Sequence, residues 1–128
     1  MKVLLDTHLL LWAAGSPQRL PKAALAVLKA RDSTLLFSAA SVWEVVIKTG
    51  LGRSDFQVDA QRLRHGLLLH GYEELPITGE HALAVRALPS PHKDPFDRIL
   101  LAQAQAEGLT LLTMDRALAA CGPPCKLV

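Results

Sequence analysis

Aromatic residues are scarce in this chain: three Phe, two Trp and one Tyr make up 5% of 128 residues, although half of all residues are apolar. A core must therefore be built from Leu, Val, Ile and Ala, and a single domain over residues 1–128 is long enough to bury one. Cysteine is rarer still. Cys121 and Cys125 form a lone Cys-x-x-x-Cys without a second ligand pair, which does not make a zinc site. Reduced thiols are expected, and no function is assigned to them. Long hydrophobic runs are missing too: the longest, such as Leu9–Ala14, is far too short to span a bilayer. The segment Met1-Lys2-Val3-Leu4-Leu5-Asp6 lacks the basic and apolar regions of a signal peptide, so a cytoplasmic protein is expected. A net charge of +2 and a pI near 8.7 are too weakly basic to argue nucleic-acid binding by themselves.

Several catalytic signatures are also absent. No Gly-x-Ser-x-Gly elbow occurs, which disfavours a serine hydrolase. Lys48-Thr49-Gly50-Leu51-Gly52 has the wrong order for a phosphate loop and follows a helix. His8, His65, His70, His81 and His92 show no metal-ligand spacing, although His8 and His92 lie near the rim described below. There is no repeat, low-complexity tract or linker.

What is present is a βα rhythm. Strands are predicted at Val3–Leu5, Thr34–Phe37, Leu75–Ile77 and Leu109–Thr113, with a short one at Lys126–Val128. Helical stretches lie between them: Thr7–Ala14, Lys22–Ala30 after Pro21, Ala39–Thr49 capped by Ser38, and a stretch from Val58 or Asp59 to Leu69. Gly79–Leu88 follows Thr78, and Pro95–Glu107 runs from Asp94 to Gly108. Strands separated by helices pair in parallel through crossovers, so the expected fold class is α/β, a three-layer αβα domain with a mostly parallel sheet of four to five strands. Gly50–Gln57 and Pro89–Lys93 are the segments expected to be most mobile.

Four carboxylates sit where strands give way to helices: Asp6, Glu44, Asp97 and Asp115. In an open α/β sheet the carboxyl ends of strands and the first turns of helices share one rim. Acids gathered there repel one another unless a cation or shared protons intervene, which points to a divalent-metal site. Each acid also has a plain structural reading. Asp94-Pro95-Phe96-Asp97 resembles a capping box, a reading that suits Asp94. Asp97 instead shares a stripe with Leu101 and Ala104, and so points toward the sheet. Glu44 lies within Ala-Ala-Ser-Val-Trp-Glu-Val-Val-Ile, where burial is costly without a charged partner. Ser41–Glu44 also reads as a capping box, and Lys48 could pair with Glu44 on a solvated face. Asp6 and Asp115 could be helix caps as well as ligands. The remaining acids, Asp55 and Glu107 among them, read as solvated surface. The hydroxyls of Thr7, Ser38, Ser41 and Thr113 stand beside the acids, where they could orient carboxylates or bound water.

These strings resemble a PIN-domain protein of the VapC toxin type. The resemblance is carried by Leu4-Leu5-Asp6-Thr7-His8 with Leu11-Trp12, by Ser38-Ala39-Ala40-Ser41-Val42-Trp43-Glu44 with Lys48, by His92-Lys93-Asp94-Pro95-Phe96-Asp97-Arg98 with Ala102-Gln103-Ala104, and by Leu111-Leu112-Thr113-Met114-Asp115. They follow family order over almost the whole chain. One departure is the lack of aromatic residues after Asp115. The resemblance implies a metal-dependent endoribonuclease, the toxin of a toxin–antitoxin pair and a homodimer, with a small VapB-type antitoxin covering the acidic pocket. Mg²⁺ or Mn²⁺ suits the oxygen donors, with Asp6 and Asp97 as primary ligands and Glu44 and Asp115 completing or orienting the shell. Lys48, Arg53, Lys93 and Arg98 could hold the RNA backbone, or be ordinary surface charges. The competing expectation is a non-catalytic RNA- or protein-binding regulator that keeps only the fold.

Overall fold

A computed structural model describes residues 1–88 and 93–128. Strands β1 (Lys2–Leu5), β2 (Thr34–Ser38), β3 (Glu73–Leu75), β4 (Thr110–Thr113) and β5 (Cys125–Leu127) form one sheet in the order β3-β2-β1-β4-β5, with every pairing parallel. Strands buried on both faces can be apolar without alternation, and β1 shows it: Val3, Leu4 and Leu5 are all fully buried. Because side chains alternate along a strand, Val3 and Leu5 join Phe37 and Leu112 on one face, while Leu4 joins Leu36 and Leu111 on the other.

Helices α1 (Thr7–Gly15), α2 (Lys22–Lys29) and α4 (Ala60–Leu69) cover the first face with Leu9, Leu10, Ala24, Leu63 and Leu67. Helices α6 (Pro95–Glu107) and α7 (Arg116–Ala119) cover the second with Leu100, Leu101, Ala104 and Leu118, beside α5 (Gly79–Ala84). Helix α3 (Ala39–Gly50) serves both, since Val45 packs with the first cluster and Ala40 with the second. The chain steps outward from β1 to β3, then returns to place β4 on the other side of β1. The β1–β4 junction is therefore the switch point of the sheet, where open α/β folds bind ligands. The Asp6 N–H donates to the Leu112 carbonyl across it, at 3.0 Å.

The expected architecture stands, with shifts at element ends. The third strand is Glu73–Leu75, not Leu75–Ile77, because Pro76 has no N–H for a ladder and Ile77 lies outside it. The helix expected over Gly79–Leu88 is α-helical only to Ala84 and tightens into a 3₁₀ turn at Val85–Ala87. The Arg98 guanidinium donates to the Val85 carbonyl of that turn. The alternative capping box at Ser41–Glu44 is not formed, since Ser38 Oγ accepts from the Ala40 N–H and starts α3. Within Gly50–Gln57, Phe56 is fully buried and its carbonyl accepts from Thr49 Oγ1, which anchors that loop. The Pro89–Lys93 expectation falls mostly on residues 89–92, including His92, which lie outside the described residues.

Helix α6 closes on Gly108 at φ +66°, and a Cβ built there would meet nothing within 4 Å. The cost of Gly108→Ala is thus backbone strain alone, about 1 kcal/mol. A melting temperature lowered by roughly 3–5 °C is expected in thermal unfolding, since 1 kcal/mol moves a domain of this size by that much.

Candidate active site at the carboxyl rim

Asp6 follows the last residue of β1 and caps α1: its Oδ1 accepts from the Leu9 N–H at 2.9 Å. The cap and the site reading coexist, because the other oxygen is used differently. Thr113 Oγ1, at the end of β4, donates to Asp6 Oδ2 at 2.5 Å and accepts from the Asp115 N–H at 2.9 Å. One buried hydroxyl thus ties Asp6 and Asp115 together across the switch point. Burial is the main force that raises the Asp6 pKa, with the Asp115 charge adding to it; the Thr113 and Leu9 hydrogen bonds and the nearby His8 oppose it. Among the described residues no cation pairs with Asp6.

Asp115 caps α7 through the Ala117 and Leu118 N–H groups and is exposed. Asp97 stands half-buried in the first turn of α6, whose N-cap is Asp94, accepting from the Phe96 and Asp97 N–H groups. The inward stripe expected for Asp97 holds, with Leu101 and Ala104 buried on it.

Glu44 is 3% exposed, as its apolar neighbours required. Both of its oxygens are occupied. Thr7 Oγ1 donates to Oε1 at 2.5 Å and also lies 3.0 Å from Ser41 Oγ, while the Lys48 ammonium meets Oε2 at 2.5 Å. The Lys48 pairing expected on a solvated face is instead largely buried, with side-chain exposures of 14% and 4%. The rings of Phe56 and Phe96 both lie near the ammonium and take the place of water there. As the side chains stand, no three His, Cys, Asp or Glu residues of the described chain surround a common ion position. The quartet is divided into a Thr113-linked pair, Asp6 and Asp115, a lysine-neutralised Glu44, and Asp97 on the facing helix.

Of the basic residues expected along the rim, Arg53 is exposed and forms a double hydrogen bond with Asp55, which also meets His8 at 3.6 Å. Asp55 is exposed, as expected of a surface acid, and pairs there with Arg53 and His8. Lys93 is exposed, and Arg98 is half-buried. Cys121 and Cys125 are free thiols, and burial together with the neighbouring Cys121 and Asp97 pushes Cys125 up to about 11. A thiol held protonated in this way is a poor nucleophile.

A buried polar chain that the sequence reading missed lies behind the rim. Ser38 Oγ donates to Gln103 Oε1 at 2.5 Å, and Gln103 Nε2 donates to the Pro76 carbonyl at 3.3 Å and approaches His81 Nδ1 at 3.4 Å. His81, 1% exposed, reaches Glu107 through Nε2 at 2.9 Å, so Glu107 is not plain surface. The available signal was Gln103 itself, a polar residue inside Leu100-Leu101-Ala102-Gln103-Ala104.

An open parallel sheet with acids at its switch point defines the class: an α/β domain of the kind that binds ligands at the carboxyl rim. Residues 3–122 match the PIN domain family, and the chain belongs to it. Ribonuclease VapC22 of Mycobacterium tuberculosis is 33% identical over 117 residues, covering 91% of this chain and 88% of that relative. The fold is shared with VapBC2 of Rickettsia felis, solved bound to a DNA fragment from its promoter, at a TM-score of 0.71 and 18% identity over 100% of this chain and 98% of that one. It is shared also with a toxin–antitoxin complex from Klebsiella pneumoniae, at 0.65 and 24% identity over 97% and 95% of the two chains. Among the described residues no helix is long and apolar enough to cross a membrane.

Proposed function

We propose that this protein is a divalent-metal-dependent endoribonuclease of the cytoplasm, the toxin of a toxin–antitoxin pair. The observation that carries the reading is Asp6: a buried carboxylate at the switch point, joined to Asp115 through Thr113, that forms no ion pair among the described residues. Capping α1 occupies only one oxygen of that carboxylate, and a cap alone does not require it to be buried against a second acid's strand. The name of the mycobacterial relative supports RNA as substrate, and the Klebsiella complex supports a small antitoxin partner. A homodimer is the expected assembly.

The donor set fits a hard cation, being carboxylate oxygen throughout. Asp6 and Asp97 would hold it as primary ligands, with Asp115 and Glu44 completing or orienting the shell. Mg²⁺ or Mn²⁺, when bound, supplies charge neutralisation, water activation and stabilisation of the phosphate. The chain's own part is positioning. Thr113 fixes Asp6 and Asp115 relative to each other, and Thr7 fixes Glu44. Exposed Arg53 and Lys93 would bind RNA phosphates along the rim, where such contacts give register rather than sequence choice. In the hydrolysis itself a P–O bond forms to the water oxygen and one P–O bond to ribose breaks. One water proton ends on the departing ribose oxygen, and the other is lost from the new phosphate monoester.

EDTA should abolish cleavage of a fluorophore-quenched RNA, and added Mn²⁺ should restore it. Asp97→Asn should lower kcat by about a hundredfold while its far-UV circular dichroism stays native, in the range found when a group acting on transition-state charge is removed. Cleavage that persists in EDTA, or an Asp97→Asn variant as active as the wild type, would count against the reading.

A further inference from the structure

Glu44 and Lys48 form a unit whose role differs from that of the other acids. Both Glu44 oxygens already carry a donor, Thr7 Oγ1 on Oε1 and the Lys48 ammonium on Oε2. The ammonium lies 5.0 Å from the centroid of the Phe56 ring and 5.6 Å from that of Phe96. Both distances lie within the range of cation–π attraction. Phe96 and Trp43 meet edge to face at 5.4 Å, and Phe56 meets His8 in the same way at 5.3 Å, so the two rings are themselves held in place. An ammonium has three N–H donors, and Glu44 is the only hydrogen-bond acceptor that Lys48 engages among the described residues. Its surroundings border the rim: Thr7 follows Asp6, and Phe96 precedes Asp97.

An ion pair confined in this way is expensive to break, because either partner alone is a buried charge. Displacing the ammonium from Glu44 to make room for a metal would incur that cost. Keeping the pair intact leaves a largely desolvated cation with two N–H donors that meet no acceptor among the described residues, one helix turn from Glu44 and between residues that neighbour Asp6 and Asp97 in the chain. Resting on the metal-dependent nuclease reading above, we propose that Glu44 is a positioning residue and no metal ligand, and that Lys48 is a catalytic residue whose ammonium binds the non-bridging oxygens of the scissile phosphate. Charge grows on those oxygens as the water attacks, and a fixed cation stabilises it without reorganising. Lys48 transfers no proton in this role.

The test uses the full chain with Lys48→Met, Lys48→Arg, Glu44→Gln and the double variant Glu44→Gln/Lys48→Met. Steady-state cleavage of a short RNA that the wild type cuts is measured beside the Mn²⁺-induced rise in melting temperature. Lys48→Met is expected to lower kcat by about 10² to 10³, with KM changed by less than about threefold. Lys48→Arg should recover at least about tenfold of that loss by keeping the charge. Glu44→Gln should lose kcat but keep the Mn²⁺-induced shift in melting temperature. The double variant removes both charges, so its metal-free melting temperature should return toward wild type while kcat stays low. Recovery of kcat in the double variant would make the pair merely structural and overturn the assignment. Loss of the Mn²⁺ shift in Glu44→Gln, or a Lys48→Met effect confined to KM, would overturn it equally. A wild type that neither cleaves RNA nor responds to Mn²⁺ would instead sink the nuclease reading, and this proposal with it.

Discussion

Asp6→Asn is expected to abolish RNA cleavage and at the same time to make the metal-free protein more stable at neutral pH. The two effects share one cause. Burial raises the Asp6 pKa above its usual value of 3.8, so the folded protein binds that proton more tightly than the unfolded chain does. The protonated state therefore contributes stability that is fully present below the unfolded pKa and is lost as pH rises through the folded one. At neutral pH the carboxylate is a net liability to the fold, tolerated because the site needs its charge. Asparagine keeps an acceptor for the Leu9 N–H and an amide facing Thr113 Oγ1, and it carries no charge to desolvate. We expect a melting temperature higher by roughly 3–5 °C at pH 7, about 1 kcal/mol in a domain of this size. The gain should shrink as pH falls toward the carboxylate range. Cleavage should fall by more than about 10³, as when a central charged group is removed from an active site. Mn²⁺ should no longer raise the melting temperature, since stabilisation by a ligand requires its site. Differential scanning calorimetry from pH 4 to 8, with and without Mn²⁺, reads all three effects. A variant less stable than the wild type across that range would show that the Asp6 carboxylate supports the fold.

Thr113→Val is expected to have the opposite effect on stability while also lowering activity. The hydroxyl is fully buried and sits between two acids, donating to Asp6 Oδ2 and accepting from the Asp115 N–H. Valine fills the same volume and satisfies neither group. The buried Asp6 oxygen left unpaired costs about 1–3 kcal/mol, while the part-buried Asp115 N–H can turn to water, so a loss of roughly 3–15 °C in melting temperature is expected. Asp6 would also lose the bond that holds its carboxylate toward the charged form, and its pKa should rise further. Cleavage should drop about 10- to 100-fold, the usual effect of removing a group that orients a ligand. Higher pH should recover part of that loss, as the carboxylate regains its charge. Thr113→Ser keeps the hydroxyl and should restore most of both properties. If Thr113→Val cleaved like the wild type, the link between Asp6 and Asp115 would have no catalytic meaning.

How far the sequence reached depended on the range of the physics involved. Periodicity and caps are local: the Asp94-Pro95 start and Gly108 stop of α6 were legible because a few neighbouring residues decide them. Burial of Glu44 and the inward stripe of Asp97 were legible for the same reason, since a helix face can be drawn from spacing alone. The third strand was misplaced by two residues, because its apolar content pointed past Pro76 while the ladder ends before it.

The sequence by itself determined the α/β class, the parallel sheet and the position of four acids at strand–helix junctions, because strand–helix alternation and crossover rules leave few other arrangements. Only the tertiary structure decided how those acids differ. Asp6 and Asp115 share Thr113 across the β1–β4 junction, Glu44 is neutralised by Lys48 between two phenyl rings, and Gln103 ties Ser38 to His81. Each of these rests on a hydrogen bond or a ring contact. Such contacts act over a few ångströms in space, often between residues distant in the chain; the i, i+4 spacing of Glu44 and Lys48 reports their pairing, but not its burial against the two rings, and no spacing reports the others.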